Sequence, residues 1–372
     1  MASFDLFYEI VNNPGQYAMH WKKETGNKVI GYFCSYAPEE IITAAGALPY
    51  RILAGSGSIS KADAHLQAYS CSLVRGALED ALNGRLDFLD GTVFPHTCDS
   101  IQRLSDIWRM NAGFKFHADV MVPVKLNTTS AGDYMTSILD KFKKELEKLT
   151  GIEITGEKLK DAINIYNSIK KNLSRLYAIR RDAPGVIKSS DIHVVFKAAM
   201  VMDRRRLLKE LERLATELGE KNPASDPAKK RIVLSGGLCS MPDIYRTIEE
   251  SGGAVVWDDF CTGSRYFEGA IHTEGEPLKS IADRYMERVV CPAKHKGLFS
   301  RGEYLVNAVK KNRADGVIFF LLKFCDPHAF DYPYMKEMLE KENIPSVLFE
   351  IEDQLPSEGQ INTRCEAFME ML

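Results

Sequence analysis

None of the eight cysteines in this 372-residue chain forms a Cys-x-x-Cys pair. That absence argues against a zinc ribbon and against a thioredoxin-like redox site. No Gly-x-x-x-x-Gly-Lys-Ser/Thr loop occurs, so the sequence offers no phosphate-cradling motif of that kind. No apolar run approaches the ~20 residues that span a membrane. The start, Met1-Ala2-Ser3-Phe4-Asp5-Leu6-Phe7-Tyr8-Glu9, lacks a basic stretch followed by an apolar one, so a signal peptide is not expected and a cytoplasmic location is. Positive charge is not in excess either: the net charge of −3 gives no electrostatic case for nucleic acid. Structural disulfides are uncommon in the cytoplasm, so the thiols are expected to be free.

What is present is the composition of a globular protein, 45% apolar and 27% charged. The length exceeds one ordinary core and implies two lobes. Two segments share an unusual plan. Leu89-Asp90-Gly91-Thr92-Val93-Phe94-Pro95-His96-Thr97-Cys98-Asp99 and Ala314-Asp315-Gly316-Val317-Ile318-Phe319-Phe320-Leu321-Leu322-Lys323-Phe324-Cys325-Asp326 each read as an Asp-Gly turn, a buried strand and a thiol at its carboxyl end. In open α/β sheets that rim is where ligands bind. Two further units match each other: Lys28-Val29-Ile30-Gly31-Tyr32-Phe33 leads through Cys34-Ser35-Tyr36-Ala37-Pro38-Glu39-Glu40 into a helix. Arg231-Ile232-Val233-Leu234-Ser235 leads through Gly236-Gly237-Leu238-Cys239-Ser240-Met241-Pro242-Asp243 into another. Proline followed by an acidic residue is a helix-start signal.

This alternation predicts an α/β fold: two lobes with mainly parallel sheets flanked by helices, at 1–129 and 226–372. Between them, 130–225 is predicted to be mainly helical, with apolar residues at three- and four-residue spacing in Met135–Leu146 and Met202–Leu211. The run Arg204-Arg205-Arg206 is expected on a solvated or partner-facing helix surface, and 222–227 as a linker.

Cys71, in Ala68-Tyr69-Ser70-Cys71-Ser72-Leu73-Val74-Arg75-Gly76, is expected at a helix start, where the helix dipole favours thiolate. Asp99 and Asp326 are expected to cap the helices that follow their cysteines. With Cys98 and Cys325, Cys71 points to a shared metal centre. An iron–sulfur cluster needs thiolates that converge in space rather than in sequence, and three would hold three corners of a cubane with one iron open. The plainer reading of any one of these cysteines is a small core residue.

The motifs Ala68-Tyr69-Ser70-Cys71-Ser72, Phe94-Pro95-His96-Thr97-Cys98-Asp99-Ser100 and Lys323-Phe324-Cys325-Asp326-Pro327 resemble the cluster motifs of the 2-hydroxyacyl-CoA dehydratase and benzoyl-CoA reductase family. The resemblance extends to Cys34–Glu40, to Asp258-Asp259-Phe260-Cys261-Thr262-Gly263-Ser264-Arg265-Tyr266-Phe267, and to Gly359–Phe368. It keeps the motif order over nearly the whole chain, at a length similar to the beta-type subunit of the dehydratases.

The resemblance implies Cys71, Cys98 and Cys325 as ligands of a [4Fe-4S] cluster. It implies a related cluster-bearing subunit as partner, an ATP-dependent iron–sulfur activator that supplies single electrons, and an acyl-CoA substrate, with no nucleic acid or membrane involved. Dehydratases of the family use the electron to form a ketyl radical from the thioester, and the reductases to dearomatise an aryl-CoA ring. One departure is the set Cys34, Cys239, Cys261 and Cys291, which a three-cysteine subunit does not need. A related branch binds a double-cubane cluster with more cysteines, so these residues are either extra ligands or core residues. The rival from another class is a non-catalytic electron-transfer scaffold, which would lack a cavity beside the three cysteines.

Overall fold

A computed structural model describes residues 3–55, 57–219, 229–237, 244–288, 291–294, 296–351 and 358–372. Two four-stranded sheets carry it. The first contains β1 (Val29–Tyr32), β2 (Leu48–Arg51), β3 (Gly91–Pro95) and β4 (Phe116–Val120), in the order β2-β1-β3-β4. The second contains β5 (Lys230–Gly236), β6 (Gly253–Asp259), β7 (Gly316–Leu322) and β8 (Ser346–Ile351), in the order β6-β5-β7-β8. Every pairing is parallel, and the two orders are the same once the numbering is shifted by four. The α/β expectation of two helix-flanked parallel sheets therefore describes the molecule.

Parallel sheets are buried on both faces, which is why their strands read as continuous apolar runs. In β7, Ile318 and Phe320 point into one core and Val317 and Phe319 into the other. β3 divides likewise, with Phe94 on one face and Val93 on the other. Each such side chain, fully buried, contributes roughly 1.5–3 kcal/mol. Pro49 lies in β2, an edge strand, where a missing N–H costs the ladder least. Gly236 ends β5 because a Cβ there would strike the Phe320 carbonyl oxygen of β7.

Helices Thr129–Thr150, Gly156–Asp182, Ser189–Ala199 and Arg204–Gly219 occupy the stretch between the sheets. The first of them buries Met135, Leu139, Phe142 and Leu146 beside Ile30 and Val93 of the first sheet. That core also takes in Leu278, Ile281 and Tyr285 from helix Pro277–Glu287, so chain that follows the second sheet's β6 completes the first sheet's packing. The expected linker 222–227 lies outside the described residues.

The arginine run departs from expectation. Arg205 is exposed and pairs with Asp161, but Arg204 is buried, with Nη2 2.7 Å from Glu39 Oε2 and Nε 2.8 Å from the Tyr166 hydroxyl. A charge run shows no helix face by itself. Residue 204 turns inward because Glu39, 165 positions earlier, supplies the buried counter-charge.

Candidate functional site

In each sheet the first and third strands in sequence lie side by side, and the chain leaves them towards opposite edges. Such a switch point leaves a crevice beyond the carboxyl ends of the strands. Cys34 follows β1 and Cys98 follows β3 at one crevice, and Cys325 follows β7 at the other. Cys34 (φ 59°) and Phe324 (φ 65°) adopt the left-handed conformation without being glycine. That costs roughly 1–3 kcal/mol per residue and persists only where the surroundings hold it, a pattern common at functional sites.

Cys71, Cys98 and Cys325 are the N-cap residues of helices Ser72–Leu82, Asp99–Asn111 and Asp326–Lys341. The expected caps Asp99 and Asp326 lie one residue inside, at the first helical position, because Cys98 and Cys325 take the non-helical cap conformation. There the carboxylates still complement the positive end of the helix dipole. The Cys98 sulfur faces the backbone N–H groups of Ile101 and Ser100, and the Cys325 sulfur faces that of His328, without closing a full capping hydrogen bond. Each of these sulfurs thus lies at a helix end that favours negative charge.

The structure brings these three thiols into one electrostatic neighbourhood: Cys98 is influenced by Cys71 and Cys34, and Cys325 by Cys71, Cys98 and Cys291. Cys291 in turn is influenced by Cys34 and Cys261. Burial pushes the Cys98 and Cys291 thiols up to about 12 and the Cys325 thiol well above its ordinary value. Cys261 differs. Burial pushes it up as well, but the guanidinium groups of Arg265 and Arg51 outweigh burial and hold it below the ordinary thiol value. Arg265 Nη1 lies 3.6 Å from its sulfur. The buried Lys294 ammonium faces Cys291, Cys34 and Cys98, and donates to the carbonyls of His96 and Val122. Among the described residues no three His, Cys, Asp or Glu side chains are arranged to hold a single metal ion. A single tetrahedral ion would draw its sulfurs to within about 4 Å of one another.

A cleft of about 560 Å³ opens beside these residues. Thr97, Cys98, Lys294 and Asp326 line it, with Val124, Leu298, Phe330 and Tyr334 forming an apolar wall. Phe330 is 79% exposed and Val124 65%, so the mouth presents large apolar side chains to the surface. A cleft of about 630 Å³ lies at the opposite end of the second sheet, beside Gly253 at the start of β6, and among the described residues no thiol lines it.

Not every cysteine joins this group. Cys365 is fully buried in the core between helix Glu358–Met371 and the second sheet. Cys239 lies outside the described residues. Three parts of the site went unread in the sequence. One is the buried set in which Asp259 accepts from both Arg265 (2.6 Å) and Arg301 (2.8 Å). The second is Lys294. The third is His328, whose Nδ1 lies 3.2 Å from the Cys325 sulfur. Its signal was available: a polar side chain three residues after an N-cap has the spacing of a capping box.

Residues 34–372 match the family model described as 2-hydroxyglutaryl-CoA dehydratase, D-component. The chain is 32% identical over 369 residues to the (R)-phenyllactyl-CoA dehydratase beta subunit of Clostridium sporogenes, covering 99% of this chain and 98% of the relative. It is 30% identical over 342 residues to a benzoyl-CoA reductase subunit of Thauera aromatica, covering 89% and 88%. It is 28% identical over 381 residues to the (R)-2-hydroxyglutaryl-CoA dehydratase subunit beta of Acidaminococcus fermentans, covering 100% and 99%. With one family model spanning the chain from Cys34, at the end of its first strand, to its last residue, the protein belongs to the 2-hydroxyglutaryl-CoA dehydratase D-component family.

Proposed function

We propose that this chain is the iron–sulfur subunit of a reductively activated acyl-CoA enzyme, of the 2-hydroxyacyl-CoA dehydratase or benzoyl-CoA reductase type, working in the cytoplasm. The carrying observation is that Cys71, Cys98 and Cys325, far apart in sequence, cap three helices in one electrostatic neighbourhood beside an open cleft. The donor set fits a [4Fe-4S] cluster: thiolates are its usual ligands, and helix N-termini together with the Lys294 ammonium offset its negative charge. Cys71, Cys98 and Cys325 would hold it. A cluster with one iron free of protein ligand supplies single electrons at low potential and a Lewis-acidic position beside a thioester carbonyl.

The chain's own residues supply the setting. Val124, Leu298, Phe330 and Tyr334 offer the acyl-CoA an apolar wall that displaces water. The relatives are named as single subunits of larger enzymes, which supports a related subunit as partner, and the exposed apolar mouth offers an area for it to cover. Without a phosphate-cradling loop, the chain takes its electrons from a separate ATP-dependent activator. The cleft argues against a non-catalytic scaffold.

The test is anaerobic copurification with the related subunit, iron and sulfide analysis, and an acyl-CoA screen with activator, ATP and a strong reductant. Turnover only in the complete mixture is expected. Sustained turnover by the isolated chain with a mild reductant and no ATP would refute the reading. A second reading, a double-cubane cluster, is favoured by the thiols Cys34, Cys261 and Cys291, which share this electrostatic neighbourhood. Iron analysis separates the two, with about four iron atoms per chain for one cubane and about eight for two.

A further inference from the structure

Three helices begin at the cysteines of this site, and the side chain three residues into each helix is the one placed to reach back to its cap. After Cys71 that residue is Val74, and after Cys98 it is Ile101, both apolar. After Cys325 it is His328, buried at 7% exposure, with Nδ1 3.2 Å from the sulfur. Only this one of the three positions brings a side-chain donor to a cysteine.

The fold makes room for the ring. A Cβ on Gly237, just past the end of β5, would lie 3.3 Å from the His328 Cε1, so the residue facing the imidazole carries no side chain. The tautomer follows from the partner. A metal-bound sulfur is a thiolate and only accepts, so Nδ1 must carry the proton and donate it. In the neutral ring Nε2 is then a bare acceptor. Among the described residues Nε2 closes no hydrogen bond, and the Gly236 carbonyl also faces the ring.

We propose that His328 is a positioning residue for Cys325: its Nδ1–H donates to the sulfur, fixes that ligand and raises the reduction potential of the cluster it holds. The inference rests on the reading of Cys71, Cys98 and Cys325 as cluster ligands. A donor aimed at sulfur favours the reduced cluster, which carries one more negative charge, and hydrogen bonds to sulfur are among the factors that set such potentials.

The experiment is an EPR-monitored redox titration, with iron analysis, of the full chain reconstituted anaerobically as wild type, His328→Leu, His328→Met and His328→Gln. The two variants without a donor should keep their iron but show a reduced fraction about tenfold lower in ratio at fixed poise, equal to ~59 mV for one electron. His328→Gln, which retains an N–H, should fall between them and the wild type. A wild-type potential in either donorless variant that holds its iron overturns the proposal. Should both lose iron, its recovery in His328→Gln supports the donor role, and no recovery overturns it. Absence of iron from the wild type itself would instead refute the ligand assignment, and this inference with it.

Discussion

The two sheets have the same strand order, yet their equivalent edge strands end in opposite buried charges: β2 ends at Arg51 and β6 at Asp259. Asp259 is fully answered by Arg265 and Arg301, and Arg301 continues to Asp331 at 2.6 Å. Arg51 is answered less completely. Its Nη1 donates to the Cys261 carbonyl at 3.0 Å, while its Nε has no partner among the described residues. That bond joins the end of the first lobe's edge strand to the residue two past the end of the second's. Topology therefore fixed where the strand ends and thiols emerge, and charge decided what each end does: Asp259 ties down its own lobe, and Arg51 reaches across to the other.

The strongest challenge to the comparison is to remove a thiol from each side. Cys98→Ala and Cys325→Ala should each lose at least about 100-fold in iron affinity and activity, since even outer-shell partners of metal ligands cost 10–100-fold. Far-UV circular dichroism should be unchanged in both. Retention of full iron by either would mean that the lobes do not share one centre.

Stability should separate the two edge charges. Asp259→Asn leaves Arg265 and Arg301 buried against a neutral amide and should cost about 3–5 kcal/mol in denaturant unfolding. Arg51→Met removes a buried charge that is only partly partnered, and should cost less than about 2 kcal/mol. Equal costs would erase the distinction drawn between the strand ends.

The smallest effect concerns pH. Burial pushes the Glu268 carboxyl up to about 7, where it accepts from the Tyr304 hydroxyl at 2.8 Å. The unfolded carboxyl titrates near 4.3, so between about 4.3 and 7 the folded state binds more protons than the unfolded one. Its contribution is therefore complete below about pH 4 and is lost as pH rises through 7, on the order of 2 kcal/mol after allowing for partial exposure. Glu268→Gln should flatten that part of the stability–pH curve. An unchanged slope would show that Glu268 titrates normally.

Much of the fold was legible because parallel strands buried on both faces leave continuous apolar runs, as in Val317–Leu322, and Asp-Gly turns mark where they begin. The placement of Cys98 and Cys325 after strand ends, and of Cys71 at a helix start, was legible from the same signals. Arg204 was misread because its burial depends on Glu39, and local sequence around 204 carries no trace of that partner. His328 was missed because Asp326 drew the capping role, whereas Cys325 itself is the cap.

The sequence by itself determined the secondary structure, the parallel two-lobe plan and the position of each thiol along the chain, because these follow from the spacing of apolar, glycine and proline residues over a few positions. Only the tertiary structure decided that Cys34, Cys71, Cys98, Cys261, Cys291 and Cys325 share one electrostatic neighbourhood, and which of them are pushed up by burial or held down by arginine. The physical reason is that desolvation and Coulomb attraction act through space, and the groups that set them here are brought together from opposite ends of the chain.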